Sequence, residues 1–469
     1  MIDAAGPRAW PVASRRAVRD RLVPAIGELR RPWTALAVIL VTATSAVAAT
    51  IGPDARWLVA LGRLVDHSGG IPRGVPFAAA PSGGWANVPV LGELAFHGLD
   101  AAAGPRGLLA AQLVAVALAM AVVAGDARRA GAVDGGVAIA LAAIVPGAIL
   151  ALAGIKAQLF SLILFPVVVA LLRSESRRPS RRIWLLVPLV GLWSNLHGAV
   201  LVGVAAVGSY LVLERARRRP GESAGIASLA LLALCATPAL AHTPRYYHAV
   251  MTSEAARRGF GLWAPLSLHS GFDLAFVAVA LVLLVAFVRA RPRLWELAFA
   301  ALLAGLTVHA ARDGVWLLLF LAAPAAKKLS LRLEPHVAVV HGVGLVLAVI
   351  AVLAIVRGPL ETGASSSLIR KAIRVADGRP ILADPAAAEQ LAAAGGRVWI
   401  SNPLEAFRRT DQSAYIDWLQ GRPSGHAVLD RTVVAVVSTR SPSGRRLSHD
   451  ERYGIVAASS SYRLLVRSP

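Results

Sequence analysis

The residues of this sequence that could do chemistry are few, and they lie at the ends of long apolar runs. Asp54 follows the first run, and a carboxylate placed there can take a proton from an acceptor hydroxyl. Basic side chains can hold a phosphate through charge-assisted hydrogen bonds. The set predicts a site for a phosphate-bearing lipid whose tail lies among the apolar segments. The predicted contacts are Lys156, Arg245 and Arg312 to the phosphate, with Gln158 beside Lys156, and Asn195 and His197 shaping the pocket.

Four of these candidates, Asp54, Asn195, His197 and Arg312, also have a purely structural interpretation. Asp54 can be the N-cap of an amphipathic helix that lies at the membrane interface. His197 with Asn195 can satisfy backbone groups where a helix is broken. Arg312 beside Asp313 can form a solvated hairpin tip. The sequence alone leaves both interpretations open for every one of these residues.

The composition is that of a membrane protein with several spans. Of the 469 residues, 56% are apolar and 16% are charged, and the mean hydropathy is +0.60. A soluble domain is nearer about 45–50% apolar and about 25% charged. The Lys and Arg residues that give the net charge of +22 lie between the apolar runs. This placement indicates positive-inside loops and no nucleic-acid partner. The single cysteine, Cys235, excludes an intramolecular disulfide and a cysteine-based metal site.

Runs of bilayer length predict a mostly α-helical bundle of about eleven crossings. Two further stretches, between Arg182 and Glu214 and between Arg293 and Lys327, are too long for one upright span and short for two. Because both have basic flanks at either end, each is predicted to be a hairpin of two short helices with a polar tip. The remaining runs cover 33–51, 107–124, 135–152, 159–172, 226–240, 274–288 and 337–356.

Charge predicts the orientation of this bundle. The proposed inside segments hold 24 Lys and Arg residues, and the outside loops before the C-terminal region hold 9. The prediction is a cytoplasmic segment at 1–32, a bundle at 33–356 in the inner (plasma) membrane, and an extracytoplasmic domain at 357–469. A first outer loop at 52–106 would carry an amphipathic helix beginning at Asp54. The C-terminal domain alternates strands with helices, which predicts a small α/β domain with a mainly parallel sheet.

Several kinds of chemistry have no motif in this sequence. There is no phosphate-binding Gly-x-x-x-x-Gly-Lys-Ser/Thr loop, no His-Glu-x-x-His zinc motif and no Asp-x-Asp triplet. The predicted spans hold almost no acids, which makes a proton- or sodium-coupled transporter, or a flippase, the third interpretation. The residues require no metal and no cofactor.

Short motifs are spread over most of the chain. The stretch Trp193-Ser194-Asn195-Leu196-His197-Gly198 is the most distinctive of them. The others are Asp54 with Trp57, Gly62, Ile71-Pro72 and Pro76-Phe77, then Lys156-Ala157-Gln158-Leu159-Phe160-Ser161, and finally Trp399-Ile400-Ser401-Asn402-Pro403 with Asp411-Gln412.

In these stretches the sequence resembles the superfamily C glycosyltransferases, polytopic enzymes that use polyprenyl-phosphate sugars and include protein mannosyltransferases and lipid A aminoarabinose transferases. The resemblance implies transfer of a sugar from a polyprenyl-phosphate donor to an extracytoplasmic glycan, lipid or protein. It also implies that Asp54 is the catalytic carboxylate. Companion acids of that pattern are replaced, since Val75 and Leu262 stand at two of their places. A catalytically silent relative, acting as a membrane scaffold or a glycan- or lipid-binding protein, is therefore the alternative.

Overall fold

The computed structural model describes residues 32–329 and 337–468, so the predicted cytoplasmic segment at 1–32 lies almost entirely outside the described part. The described chain is mostly helical, with a small sheet near its C-terminus, and the predicted fold class is confirmed. Five of its helices are long and apolar enough to cross a membrane. The helices of the first half are α1 (Pro32–Val47), α2 (Ala55–Ser68), α3 (Val90–Arg129), α4 (Asp134–Ala153), α5 (Gln158–Arg177), α6 (Leu186–Ser194), α7 (Val200–Tyr210) and α8 (Pro220–Leu234).

The second half of the bundle continues in the same way and ends in a long apolar helix. Two short helices, α9 and α10, lie between bundle helices and carry polar residues. The elements are α9 (Thr243–Met251), α10 (Glu254–Arg257), α11 (Gly271–Arg289), α12 (Leu294–His309), α13 (Gly314–Ala325) and α14 (Val337–Arg357).

Both ambiguous stretches are hairpins, as predicted. A carbon placed as Cβ on Gly203 of α7 would lie 2.3 Å from the ring of Trp193 in α6. In one continuous helix these residues would be about 15 Å apart, so the chain has turned back between them. In the other stretch the rings of Phe299 in α12 and Phe320 in α13 are 5.0 Å apart. Glycine at 203 is what lets α7 approach the indole so closely.

The first outer loop is built from two crossed helices. The amphipathic helix predicted from Asp54 is α2, and the helix that crosses it is the first part of α3. Ala103 and Gly104 have non-helical backbone angles ahead of Pro105, so α3 kinks there between its loop segment and its bundle segment. A Cβ on Gly62 would lie 2.2 Å from the carbonyl oxygen of Glu93, so α2 and α3 cross with their backbones in contact.

At the opposite end of the bundle, buried ion pairs connect α3, α5 and α12. Arg173 contacts Asp126 at 2.9 Å and Glu296 at 2.8 Å, and it also donates to the Phe320 carbonyl. Arg173 lies seventeen residues after Lys156, roughly 25 Å along the helix, so this cluster is far from the candidate site. Asp126 and Glu296 at this end of the bundle therefore pair with the basic residue Arg173.

Two very short strands, β1 (Thr50–Ile51) and β2 (Gly154–Ile155), lie among the helices of the bundle. The C-terminal domain carries a four-stranded sheet in the order β3 (Ile381–Ala383), β4 (Val434–Ser438), β6 (Tyr462–Arg467) and β5 (Tyr453–Ala458). In this sheet only β3 and β4 pair in parallel, while the pairs β4/β6 and β5/β6 are antiparallel. The prediction of a mainly parallel sheet is wrong, because β5 was not predicted and its short turn into β6 forces a hairpin. The domain consists of α15 (Ser366–Ala376), β3 (Ile381–Ala383), α16 (Pro385–Ala393), α17 (Arg409–Leu419), β4 (Val434–Ser438), α18 (Pro442–Leu447), β5 (Tyr453–Ala458) and β6 (Tyr462–Arg467).

This domain sits directly on the first outer loop. The Val398 N–H donates to the Phe77 carbonyl at 2.9 Å, and the Ala79 N–H donates to the Val398 carbonyl at 2.8 Å. Trp57 of α2 and Trp399 of the domain are buried in the same apolar cluster. The domain and the first loop therefore lie on the same face of the bundle, as the predicted topology requires.

Candidate active site

Two very short strands bring together the segments that carry Asp54 and Lys156. Strand β1 (Thr50–Ile51) follows α1, and strand β2 (Gly154–Ile155) follows α4. They pair in parallel, and the Gly52 N–H extends the ladder to the Ile155 carbonyl at 2.9 Å. Since parallel strands carry their following residues to the same edge, Asp54 and Lys156 emerge side by side.

Gly52 is the residue that this close approach requires. A Cβ at position 52 would lie 3.0 Å from the Ile155 carbonyl oxygen and 3.6 Å from the Cβ of Lys156. A side chain would have to push the two segments apart. The segment that follows α14 pairs with the other side of β1, because the Leu360 N–H donates to the Ala49 carbonyl at 2.7 Å.

Asp54 occupies the N-cap position of α2 without acting as a cap. Its backbone is left-handed, with φ at 76°, and its side chain makes no capping hydrogen bond to the helix. Its backbone N–H donates instead to Oε1 of Glu389 at 2.8 Å. The Asp54 carboxylate therefore does not cap α2, and the structural interpretation of Asp54 as an N-cap does not account for it.

Arg312 does not form a solvated tip. Its guanidinium lies 3.7 Å from the centre of the Trp263 ring, and its side chain is half-buried. The segment is held in place by the Ala311 N–H, which donates to the Ala264 carbonyl at 2.9 Å. A guanidinium stacked on an aromatic ring keeps its hydrogen-bond donors at the rim for another partner.

The charges of Asp54, Lys156 and Arg312 act on one another. Burial raises the pKa of Asp54, while the charges of Lys156 and Arg312 oppose that rise. Burial lowers the pKa of Lys156, and the charge of Asp54 opposes that change. Within residues 32–329 and 337–468, no ion pair of 4.0 Å or less joins these three groups. The cations are thus near the acid without being neutralised by direct contact.

Two acids from the C-terminal domain, neither of them predicted from the sequence, complete the cluster. Glu389 of α16 accepts from Nδ2 of Asn402 at 3.1 Å as well as from the backbone of Asp54. Burial first, and then the charge of Asp54, raise the pKa of Glu389 to about 8. Burial raises the pKa of Glu405 to about 7. Since Asp54 has the cations beside it, the negative charge belongs on Asp54 and the proton on Glu389.

His197 is held with a defined proton position. Ser161 Oγ accepts from the Trp193 indole at 2.7 Å, so the hydroxyl proton points to Nδ1 of His197, also at 2.7 Å. The Ala199 N–H approaches the same nitrogen at 3.4 Å. Nδ1 is therefore the acceptor and Nε2 carries the hydrogen, which leaves His197 a neutral donor.

The other predicted contacts are placed differently. The Asn195 amide nitrogen donates both of its hydrogens to backbone carbonyls, those of Gly191 at 2.8 Å and Ala236 at 2.7 Å. These two hydrogen bonds stabilise the helix break. Gln158 is buried in the first turn of α5. Arg245 is exposed on α9, and within the described chain no contact joins it to Asp54 or Lys156. The structure brings Asp54, Lys156 and Arg312 together, and the charges that shift the pKa of Asp54 are those of Lys156 and Arg312 rather than that of Arg245.

No local signal could have pointed to Glu389, because it is 335 residues from Asp54 and stands in an alanine-rich helix. Asn402 belongs to one of the motifs that carry the resemblance. The pairing depends on α16 packing against α2, which is a tertiary contact.

We expect Glu389→Gln to make the protein less sensitive to alkaline pH. Glu389 binds its proton more tightly when folded (pKa about 8) than the ordinary value of 4.5. The folded state therefore holds more protons between these values, and stability falls as pH rises through that window. Gln keeps the carbonyl acceptor and does not titrate, so its melting temperature relative to wild type should rise by several degrees from pH 5 to pH 8.

Two control variants frame this measurement. Glu451→Gln changes an exposed acid of the same domain and should show no such pH-dependent difference. Glu389→Ala removes the acceptor and should melt lower at every pH. A difference between Glu389→Gln and wild type that is equal at pH 5 and pH 8 would contradict the assignment of the proton to Glu389.

Comparison with solved structures gives the fold a precedent. The apo structure of ArnT from Cupriavidus metallidurans superposes with a TM-score of 0.50 at 13% identity, covering 97% of this chain and all of that one (100%). This chain has an ArnT-like fold. ArnT from Cupriavidus metallidurans bound to undecaprenyl phosphate gives a TM-score of 0.49 at 15% identity, covering 93% and 98%. No protein-family model matches the sequence. No curated protein matches it either.

The ArnT-like fold is a polytopic membrane fold, which agrees with the apolar helices of this chain. The similarity extends over the bundle and the C-terminal domain together, since nearly the whole of both chains is covered. At 13% identity the likeness establishes the fold, and the chemistry of the site rests on the residues described above.

Proposed function

We propose that this protein is a membrane glycosyltransferase that transfers a sugar from a polyprenyl-phosphate donor to an extracytoplasmic acceptor. The observation that carries the proposal is the placement of Asp54 beside Lys156 and Arg312 on the face of the bundle covered by the C-terminal domain. An acid that holds its charge can accept a proton, and two unpaired cations can hold a phosphate.

The reaction assigns a task to each of these residues. Asp54 takes the proton of the acceptor hydroxyl while that oxygen forms a bond to the anomeric carbon of the sugar. The bond from that carbon to the phosphate oxygen breaks, and its electron pair leaves with the polyprenyl phosphate. Lys156 and Arg312 stabilise the charge that develops on this leaving group. The Nε2–H of His197 supplies a neutral hydrogen-bond donor to the bound sugar or phosphate.

The lipid nature of the donor is supported by the surroundings of the site. The candidate residues stand at the ends of apolar helices, so a polyprenyl tail can lie against the bundle while its phosphate reaches the cations. Undecaprenyl phosphate is bound in ArnT, and for this chain such a lipid is part of the proposal.

Turnover of the donor tests the function directly. Purified protein in detergent would be mixed with polyprenyl-phosphate sugars extracted from bacterial membranes as donors. A cell-envelope fraction without an energy source would supply the acceptors. Mass spectrometry would follow the loss of the lipid-linked sugar and the release of free polyprenyl phosphate. A lipid pool that stays unchanged with every sugar donor supplied would exclude the transferase.

The proposed location is the inner membrane, with the C-terminal domain on the extracytoplasmic side. A reporter enzyme that is active only outside the cytoplasm, fused at the C-terminal end of the full chain, should be active. A fusion in the loop between α3 and α4, at Ala130, should be inactive, because Arg128 and Arg129 mark that loop as inside. The reversed pattern would overturn the orientation.

A second candidate function, a silent relative that binds a glycan or lipid, is favoured by one further observation. The C-terminal domain has a cleft of about 580 Å³ near α17 and α18, lined by Trp418, Arg422, His426 and Arg446 among others. Aromatic and basic side chains suit an anionic carbohydrate. Retention of glycan binding without any donor turnover by the full-length protein would favour this alternative.

A further inference from the structure

A group of possible metal ligands lies at the far end of α2 from Asp54. Asp66 and His67 stand in the last turn of α2, and His97 faces them from the loop segment of α3. Each offers one ligand atom, and these three atoms lie within 4.8 Å of one another. Asp66 and His67 come twelve and thirteen residues after Asp54, about 18–20 Å along the helix, so the group is separate from the candidate active site.

The crossing of the two helices holds these side chains in position. A Cβ on Gly62 would lie 2.2 Å from the Glu93 carbonyl and 2.8 Å from the Cβ of His97. Asp66 is one turn beyond Gly62 on the same face of α2. The ligands therefore project from two helices whose backbones touch next to them, and their separation is determined by rigid elements rather than by a loop.

The spacing of the ligand atoms fits a small transition-metal ion. Nε2 of His97 lies 3.6 Å from Oδ2 of Asp66, which is too long for a hydrogen bond. Two ligand atoms that each lie about 2.0–2.1 Å from a tetrahedral ion are separated by about 3.3 Å. Only a small closing movement is needed for both atoms to reach one ion.

His67 has the tautomer that ligation needs. Its Nδ1–H donates to the Arg63 carbonyl at 2.8 Å, so the lone pair is on Nε2. Such a hydrogen bond to a backbone carbonyl is the usual way in which a ligating histidine is oriented. The helix also ends here, with Gly69 in a left-handed conformation, so its last carbonyls favour a cation.

We propose that Asp66, His67 and His97 form a site for a divalent transition-metal ion of the zinc type, which clamps α2 to α3. Two imidazoles and one carboxylate are ligands that zinc accepts, and Mg²⁺ prefers oxygen ligands alone. Three protein ligands leave a fourth position for water. The clamp stabilises the two helices of the first outer loop, and α2 begins at Asp54.

The test uses full-length protein in detergent, with any purification tag removed and metals stripped with EDTA. Titration with Co²⁺ should produce the visible absorption bands of a tetrahedral nitrogen and oxygen site at one ion per chain. Zn²⁺ should displace the Co²⁺ and raise the melting temperature, and Mg²⁺ should do neither. His67→Ala and His97→Ala should each weaken Co²⁺ binding by tenfold or more.

The control is His269→Ala, which removes an exposed histidine from a different loop and should bind Co²⁺ as wild type does. Melting each variant in EDTA separates a lost ligand from a damaged fold, because intact variants should match metal-free wild type. Asp66→Asn provides a variant that keeps the shape and loses the charge. Co²⁺ binding that is equal in wild type, His67→Ala and His97→Ala would overturn the site, as would wild-type protein that gives no absorption bands.

Discussion

Asp54→Asn should lower donor turnover by about two to four orders of magnitude, the range that a positioned general base usually contributes. An amide cannot take the proton of the acceptor hydroxyl, although it has nearly the same shape. The left-handed backbone at Asp54, with φ at 76°, is also tolerated by Asn, so the fold should be retained. The measurement is the release of polyprenyl phosphate by equal amounts of purified wild-type and variant protein.

Asp377→Asn is a matched control for this change. Asp377 is the other described aspartate with a left-handed backbone, at φ 49°, and it is exposed at the end of α15 in the C-terminal domain. It should lose neither yield nor turnover. If Asp54→Asn were obtained in normal yield and turned over the donor at the wild-type rate, Asp54 would not be the base.

Arg312→Gln should weaken binding of undecaprenyl phosphate by tenfold or more. A charge-assisted contact to an anion is worth about 1.5–3 kcal/mol, and 1.4 kcal/mol corresponds to a factor of ten. The guanidinium lies on Trp263, so its charge is held in place before the lipid arrives. Direct binding to purified protein in detergent gives the two dissociation constants.

Two comparisons make this result specific to the phosphate. Undecaprenol has the same tail without the phosphate, and its weaker binding should be unchanged by Arg312→Gln. Arg245→Gln removes an exposed arginine that, in the part of the chain the structure describes, has no contact with Asp54 or Lys156, and this variant should bind undecaprenyl phosphate as wild type does. Equal affinity of wild type and Arg312→Gln for the phosphate lipid would remove Arg312 from the site.

The helices could be predicted with good accuracy, since each depends on apolar residues close in sequence. The apolar run at 135–152 became α4 (Asp134–Ala153), and both ambiguous stretches became hairpins. The sheet of the C-terminal domain was predicted less well. Strand β5 (Tyr453–Ala458) has mostly exposed side chains, so it carries little of the apolar signal on which strand prediction relies.

The candidate site was only partly predictable. Asp54, Lys156 and Arg312 were singled out because charged residues at the outer ends of apolar runs can take a proton or hold a lipid phosphate. Arg245 satisfied the same criterion, and no feature of the sequence could show that its helix turns it outward. Asn195 was correctly placed at a helix break, and the structure assigns its amide hydrogens to two backbone carbonyls.

By itself the sequence determined that the chain crosses a membrane repeatedly, where most helices begin and end, and which few polar residues could do chemistry. Those properties depend on local composition and on the length of apolar runs. Only the tertiary structure decided that Asp54 meets Lys156 through two short strands and meets Glu389 through a helix 335 residues away. Such pairings depend on which helix faces touch, and residues that are far apart in the chain carry no shared local pattern from which that contact can be read.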